Sequence, residues 1–151
     1  MEGYEVSVFA VTDGNDFICL PSSHDHKKSG EGDTCKNTGG IWTYSPLPFL
    51  TAEKLKTIEE KIIDPTINGL RNEGKKFIGC LYAGLMITSD GPKVVEFNCR
   101  FGDPETQAVL PLLEGDFLKL LLSAAEGNLN KNAVSYSSAS AITVVAASGG
   151  Y

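Results

Sequence analysis

The segment from Phe77 to Phe101 constrains the fold more than any other part of this chain. A continuous apolar run, FIGCLYAGLMIT, is followed by SDGP and then by KVVEFNCRF. An Asp-Gly pair between two such runs is typical of a tight turn that joins antiparallel strands. The segment therefore predicts a long β-hairpin against which the rest of the chain must pack.

The remaining periodic segments predict a mixture of strands and helices. YEVSVFAV and DFICL, separated by TDGN, indicate a first hairpin over residues 4–20. Thr51 is placed to cap a helix with apolar residues at helical spacing, and Pro65 should kink that helix or start a second one. After GDP we expect a short helix, then a longer one that ends at Gly127, and SASAITVVAAS holds a last strand. The fold class predicted is α+β.

Residues 21–48 show no periodicity. The stretch PSSHDHKKSGEGDTCKNTGGIWTYSPLP has four glycines and little to bury, which predicts a long loop. Loops of this length inside compact domains are usually functional or disordered, and we expect an ordered loop that faces a ligand. Lys28, Asp33 and Asn37 are its candidates for contacts with phosphates or an amino acid, and the alternative is a solvated loop with scattered charges.

Composition excludes several classes of protein. With 151 residues, 42% of them hydrophobic, the chain suffices for one domain or for part of a larger one. Lys and Arg total 13 against 19 Asp and Glu, which argues against a nucleic-acid surface. No apolar run reaches the roughly 20 residues that a membrane helix needs. The 4 cysteines have no metal-like spacing and predict free thiols in a reducing cytoplasm.

The strand VVEFNCRF should present two chemically different faces, because side chains alternate across a strand. The face predicted to pack on the core comprises Val95, Phe97, Cys99 and Phe101. The other face carries Glu96, Asn98 and Arg100 beside Val94, with side chains about 7 Å apart. Carboxylate and amide oxygens suit Mg²⁺, and a nearby arginine suits phosphate, so this face predicts a site for a nucleotide's phosphates. The alternative is a solvated face on which Glu96 and Arg100 pair.

Two further acidic residues, Asp103 and Glu105, follow where a helix begins. Capping of that helix by Asp103 would explain one of them without any catalytic role.

The sequence motifs in and around this strand closely resemble those of the phosphoribosylamine-glycine ligase (glycinamide ribonucleotide synthetase) family of ATP-grasp enzymes. EFNCRFGDPE, preceded by LYAGLMIT and GPKV, carries the resemblance, which DHKK, GDT, NTGG, YSP, LPLLEGDF and VVAASGGY extend over nearly the whole chain. It implies a partial ATP-grasp fold, an antiparallel sheet with flanking helices. Residues 1–151 would form a single partial domain, the C-terminal part of the ATP-binding core.

The resemblance also implies an activity in purine biosynthesis. Family members join glycine to 5-phosphoribosylamine through a glycyl phosphate and split ATP to ADP and phosphate. Glu96 and Asn98 would hold Mg²⁺ or Mn²⁺, and Arg100 would lie near the transferred phosphate. Glu5 matches an acidic position near the nucleotide ribose, although a surface charge at a strand edge explains it equally well.

The chain departs from the family pattern in one segment. Where family members read roughly GDTGPNTGGMGAYSPAP, this chain reads GDTCKNTGGIWTYSPLP. Trp42 stands in place of a glycine, so substrate binding through this segment is an open question.

Segments that the family places on either side have no counterpart here, so we expect a part of a longer protein that is not a competent ligase in isolation. A different interpretation is a non-catalytic nucleotide- or metal-binding module that kept the fold. A third is self-association through edges and apolar faces left uncovered by the missing neighbours.

Overall fold

The structure is a computed structural model that describes residues 1–30 and 34–148. Within these ranges the chain forms nine strands and four α-helices. The strands are β1 Tyr4–Thr12, β2 Phe17–Cys19, β3 His24–Gly30, β4 Thr34–Ser45, β5 Gly79–Thr88, β6 Gly91–Asn98, β7 Leu113–Gly115, β8 Val134–Tyr136 and β9 Ala141–Val144. The helices are α1 Ala52–Ile58, α2 Asp64–Asn72, α3 Glu105–Val109 and α4 Phe117–Ala125.

The central sheet has four strands in the order β2-β1-β5-β6, and each pair is antiparallel. Both hairpins predicted from the sequence are therefore confirmed. Their turns are also as expected: Gly91 has φ +98°, and the Asp13 carboxylate accepts the backbone N–H groups of Asn15 and Asp16. The α+β class with an antiparallel sheet and flanking helices is confirmed.

Helices cover both faces of this sheet, which gives the chain two apolar clusters. On one face, alternate residues of β1 and β5 pack against the α1–α2 segment; the buried members include Val6, Val8, Leu81, Ala83, Leu85, Ile58, Ile63 and Ile67. On the other face the buried members include Phe9, Val11, Cys80, Tyr82, Val109, Leu120 and Ala124.

The helical segment after residue 50 follows the sequence signals. The Thr51 hydroxyl accepts the Lys54 N–H and caps α1, as predicted. A π-helical turn, Glu59–Ile63, connects α1 to α2 without a break, and Pro65, which has no N–H to donate, lies directly after it in the first turn of α2. The Asp116 carboxylate caps α4, and Gly127, with φ +76°, follows its end.

The prediction of an irregular loop over residues 21–48 is wrong. Its greater part forms β3 and β4, which pair antiparallel and continue to β9 in a second sheet. Cross-strand pairing of His24 with Tyr44 and of His26 with Trp42 stabilises a ladder whose residues are too far apart in sequence to show a local period. Lys28 is opposite Asn37 in the backbone register, while Asp33 lies outside the described residues.

A short pair, β7 with β8, completes the sheets of the described segments, and the sequence did not indicate it. Across residues 1–30 and 34–148, no helix has the length and apolar character needed to span a membrane.

Candidate functional site

A β-bulge at Val95 sets which side chains of β6 face the same way. Gly84 pairs with Glu96, but Leu85 pairs with Val94, so Val95 is an extra residue in β6. The side chains of Glu96 and Asn98 therefore lie on the face of Gly84 and Tyr82, whereas Val94 moves to the opposite face.

The prediction that Val95, Phe97, Cys99 and Phe101 pack on the core is wrong for the first three. Val95 is 54% exposed and Phe97 41% exposed, and Cys99 is exposed as well. The physical reason is that β6 is the edge strand of its sheet, and no described element covers it. Phe101 alone of the four packs on a core, against Phe9 at a ring-centroid distance of 5.8 Å.

Glu96 and Asn98, the two predicted metal ligands, are brought together. The Asn98 Nδ2 donates a hydrogen bond to Glu96 Oε1 at 3.2 Å. Gly84, directly across from Glu96, leaves room for the Glu96 stem, since a Cβ at Gly84 would lie 3.1 Å from Glu96 Cγ. Two side-chain oxygens on one rigid strand face are thus available to a single small cation.

Glu96 borders an open cleft. Its lining includes Glu5, Ser7, Asp25, Tyr82 and Glu96. Glu5, Ser7 and Glu96 share one face of the central sheet because Ser7 and Glu96 are both paired with Gly84. Three carboxylates around one cleft make a site that favours cations.

The second sheet contributes Asp25 to this cleft through a backbone junction. Ser7 and Ser23 exchange two backbone hydrogen bonds, of 2.8 Å and 3.0 Å. The buried Asp25 follows two residues later in β3, with its Oδ1 3.5 Å from the Thr43 hydroxyl.

A buried polar network lies beneath the cleft, and sequence reasoning did not identify it. The Ser7 hydroxyl donates to Glu105 Oε1 at 3.1 Å and lies 3.0 Å from the Tyr82 hydroxyl. All three side chains are buried, and burial raises the pKa of the Tyr82 hydroxyl. Gly102 packs directly on the Glu105 carboxylate, where a Cβ would lie 2.5 Å from Oε2. The sequence signal for Glu105 was weak because its partners are far away in the chain.

The predicted helix cap at the start of α3 is absent. Asp103 does not cap the helix: its Oδ1 accepts a hydrogen bond from Gln107 Nε2 at 2.6 Å, and Pro104 occupies the N-cap position without a side-chain cap.

Arg100 lies in the bend that follows β6, so strand alternation does not extend to it. Its side chain is exposed, and Nη1 donates to the Phe101 carbonyl at 2.9 Å. Arg100 is close in sequence to the Glu96–Asn98 pair, and its phosphate-binding role stays a prediction.

The oxygens of Glu96 and Asn98 suit a hard divalent ion. The described part of the chain has no cluster of three or more His, Cys, Asp or Glu side chains that would enclose a metal by itself. This is compatible with Mg²⁺, which usually takes one or two protein ligands and completes its shell with water and phosphate oxygens.

Solved structures share this fold. The phosphoribosylamine-glycine ligase of Thermotoga maritima superposes with a TM-score of 0.90 at 35% identity, over all of this chain and 38% of that one. The L-amino acid ligase of Bacillus licheniformis gives a TM-score of 0.64 at 17% identity over 99% of this chain and 35% of that one, which is a likeness of fold alone.

The fold and the carboxylate-bearing strand define an ATP-grasp domain. The model of one family, described as phosphoribosylglycinamide synthetase, ATP-grasp (A) domain, matches residues 1–106, and the chain belongs to this family.

Curated relatives agree with this assignment. The phosphoribosylamine-glycine ligase of Vigna unguiculata is 50% identical over 153 residues, and that of Chlorobaculum tepidum is 48% identical over 151 residues. A bifunctional purine biosynthetic protein of Pichia angusta is 48% identical over 157 residues. All of this chain is covered in each case, but only 49%, 36% and 19% of these relatives. The chain thus spans less than half the length of the relatives it matches.

Proposed function

We propose that this chain is the metal- and phosphate-binding part of an ATP-dependent ligase that joins glycine to 5-phosphoribosylamine. The observation that carries the proposal is the Glu96–Asn98 pair, hydrogen-bonded on one strand face beside an acidic cleft. The family assignment and the names of the relatives support the choice of reaction. Because ATP-grasp ligases use ATP and a divalent metal, the acidic character of the cleft is what this class requires.

Each predicted residue has a proposed role. Glu96 and Asn98 hold Mg²⁺ or Mn²⁺, and Glu5 contacts the ribose of the nucleotide from the same cleft. Arg100 binds the transferred phosphate. The metal, when bound, neutralises negative charge on the phosphates of ATP. Lys28, Asp33 and Asn37 remain the candidates for contacts with substrate.

The chemistry accounts for the need of ATP. A glycine carboxylate is a poor electrophile, so its oxygen first attacks the γ-phosphorus of ATP, which yields ADP and glycyl phosphate. The amine nitrogen of phosphoribosylamine then attacks the carbonyl carbon, the bond from that carbon to the phosphate oxygen breaks, and phosphate leaves with the electron pair. The amine's proton passes to phosphate or water. Arg100 is proposed to stabilise the phosphate charge in both steps.

The wider proposal concerns the protein as a whole. Residues 1–151 form a single partial ATP-grasp domain of a cytoplasmic enzyme with small-molecule substrates, and the chain alone does not turn over glycine and phosphoribosylamine. Self-association through β6, where Val95 and Phe97 are exposed, is a separate proposal that sedimentation velocity would test.

Calorimetric titration of the chain with ADP in the presence of Mg²⁺ tests the metal strand. Wild type should give a binding signal that Glu96→Ala loses. Glu60→Ala is the matched control, because Glu60 is an exposed glutamate of the helical segment, where it pairs with the exposed Lys56 at 3.6 Å. Equal signals from wild type and Glu96→Ala would exclude Glu96 as a metal ligand.

A non-catalytic nucleotide-binding module is the second candidate, and Trp42 is the observation that favours it. Its ring stacks on His26, at a centroid distance of 3.5 Å, where the family pattern has a glycine. A hybrid protein tests this: residues 1–151 replace the matching segment of the full-length Chlorobaculum tepidum relative. Glycine-dependent ADP formation by the hybrid is then measured. Activity supports the ligase. Loss of activity that Trp42→Gly restores supports the module.

A further inference from the structure

We propose that Tyr82, Ser7 and Glu105 form a positioning network that offers a hydrogen-bond acceptor to a metal-bound water next to Glu96. The inference rests on the proposed function, because it assumes that Glu96 holds the metal. It adds three residues of this chain to the site and assigns each a place in one chain of hydrogen bonds.

The direction of these hydrogen bonds follows from counting protons. The Glu105 carboxylate accepts only, and the Ser7 hydroxyl donates its single proton to Oε1 at 3.1 Å. Ser7 has no second proton, so the Tyr82 hydroxyl donates in turn, either to Ser7 Oγ at 3.0 Å or to the Glu105 carboxylate, with which it also hydrogen-bonds. The phenolic oxygen has no proton left to donate, so it can only accept from a further group.

The Tyr82 hydroxyl lies next to the proposed metal ligand. A Cβ built on Gly84 would lie 3.5 Å from the Tyr82 hydroxyl oxygen and 3.1 Å from Glu96 Cγ. The Tyr82 hydroxyl and the Glu96 stem therefore border the same small space above Gly84, and both residues line the cleft.

The network is held rigidly from below. Glu105 is 4% exposed, and Gly102 packs on its carboxylate. The Tyr82 ring packs on Phe9, with ring centroids 5.3 Å apart. Packing fixes the position of the Tyr82 ring, and the hydrogen bond that its O–H donates fixes the rotation of the hydroxyl. The lone pair that remains to accept a hydrogen bond therefore points in one direction.

A fixed acceptor at this position suits the chemistry of Mg²⁺ and Mn²⁺ sites. Mg²⁺ retains several of its water molecules when bound to protein oxygens, and a metal-bound water is a strong hydrogen-bond donor. Residues that accept from such waters orient the metal's ligands, and their loss typically lowers metal affinity about 10- to 100-fold.

The test uses Mn²⁺ alone as the probe, with free Mn²⁺ measured by electron paramagnetic resonance during titration of the chain. Tyr82→Phe and Ser7→Ala should each weaken Mn²⁺ binding about 10-fold. Ser7→Thr keeps the hydroxyl and should bind Mn²⁺ as wild type does, a rescue that a merely structural role would not give. Tyr136→Phe is the matched control, since its partly buried hydroxyl donates to the Cys19 carbonyl away from the cleft.

The outcomes separate this inference from the proposed function. Wild-type Mn²⁺ affinity in Glu96→Ala would overturn the metal strand itself. Loss of binding in Glu96→Ala, with wild-type affinity in folded Tyr82→Phe or folded Ser7→Ala, would overturn only the network. Circular dichroism identifies the folded variants. If both fail to fold, unchanged Mn²⁺ affinity in a Glu105→Met variant, which has no oxygen to accept the Ser7 proton, would overturn the network in their place.

Discussion

The indole of Trp42 lies flat on the imidazole of His26, with ring centroids 3.5 Å apart and planes 12° from parallel. The two residues face each other across β3 and β4, and His24 and Tyr44 extend the ring contacts along the same pair of strands. A segment rich in glycine and polar residues is thus ordered by a column of four rings. The stack also shows how this chain accommodates Trp42 two residues after the pair Gly39 and Gly40.

Replacing Trp42 by alanine should destabilise the chain by roughly 2 kcal/mol. The half-buried indole contributes stacking and apolar contacts, and an alanine methyl group is too small to restore either of them. The free energy of unfolding in urea measures the effect. Trp42→Phe, which retains an aromatic ring, should lose less than half as much, and an unchanged midpoint in Trp42→Ala would show that the stack contributes no stability.

Adding a methyl group at Gly84 should weaken metal binding more than it weakens the fold. The new Cβ would lie 3.1 Å from Glu96 Cγ, so the Glu96 stem must shift by a few tenths of an ångström. We expect an affinity for Mn²⁺ several-fold lower, on the order of 3- to 10-fold, because the ligand oxygens move with the stem.

Gly69→Ala supplies the control for Gly84→Ala. No atom lies within 4 Å of the Cβ position at Gly69, which is in α2, so alanine there should stabilise the chain by about 0.5 to 1 kcal/mol without changing Mn²⁺ affinity. Equal Mn²⁺ affinity in Gly84→Ala and Gly69→Ala would contradict the packing of Glu96 on Gly84.

The cysteines should differ sharply in their reactivity toward an aromatic disulfide reagent. In a Cys35→Ser background, the three remaining cysteines are Cys99, which is exposed, and Cys19 and Cys80, which are buried. Because thiolate character and access both govern the rate, one thiol should react fast in the native chain, and two more only after denaturation. Two fast thiols at neutral pH would contradict the burial of Cys19 or Cys80.

Stability should fall at alkaline pH, in part through Cys80. Burial raises the pKa of this thiol from 9.0 to about 12. In the unfolded chain the thiol ionises first, so its contribution is complete below pH 9 and is lost progressively as the pH rises toward 12. At about pH 10.5 the loss from this thiol amounts to about 2 kcal/mol.

Urea denaturation at about pH 8 and at about pH 10.5 measures this dependence. Cys80→Ala should be less stable at the lower pH but should lose less stability on going to the higher pH. Identical pH slopes for wild type and Cys80→Ala would rule out a raised pKa at Cys80.

Local sequence signals predicted much of the secondary structure, because the interactions behind them are local. An Asp-Gly turn, a Thr51 cap and a glycine after a helix each act within a few residues, and the structure has all three. The ATP-grasp resemblance predicted the fold for a different reason. It rests on the amino-acid sequences of several motifs spread over nearly the whole chain, and not on the local preference of any one segment.

The features that the sequence did not predict depend on distant partners. His24 pairs with Tyr44 across a hairpin with irregular register, and Ser7 meets Glu105, 98 residues away. Glu96 and Asn98 were predictable because two residues of separation on a strand suffice to place them on one face. The exposure of Phe97 could not be predicted in this way, because it depends on whether another element covers the edge of the sheet.

The extra residue at Val95 also changes how substitutions in this strand should be interpreted. Even-numbered residues after Val95 lie on the same face of the sheet as odd-numbered residues before it. Lys93 therefore shares a face with Glu96 and Asn98, while Val94 shares one with Phe97. Deletion of Val95 would therefore remove the bulge and leave both the ligand pair and the side chains from Gly91 to Val94 on their present surfaces, because the pairing with β5 already omits this residue.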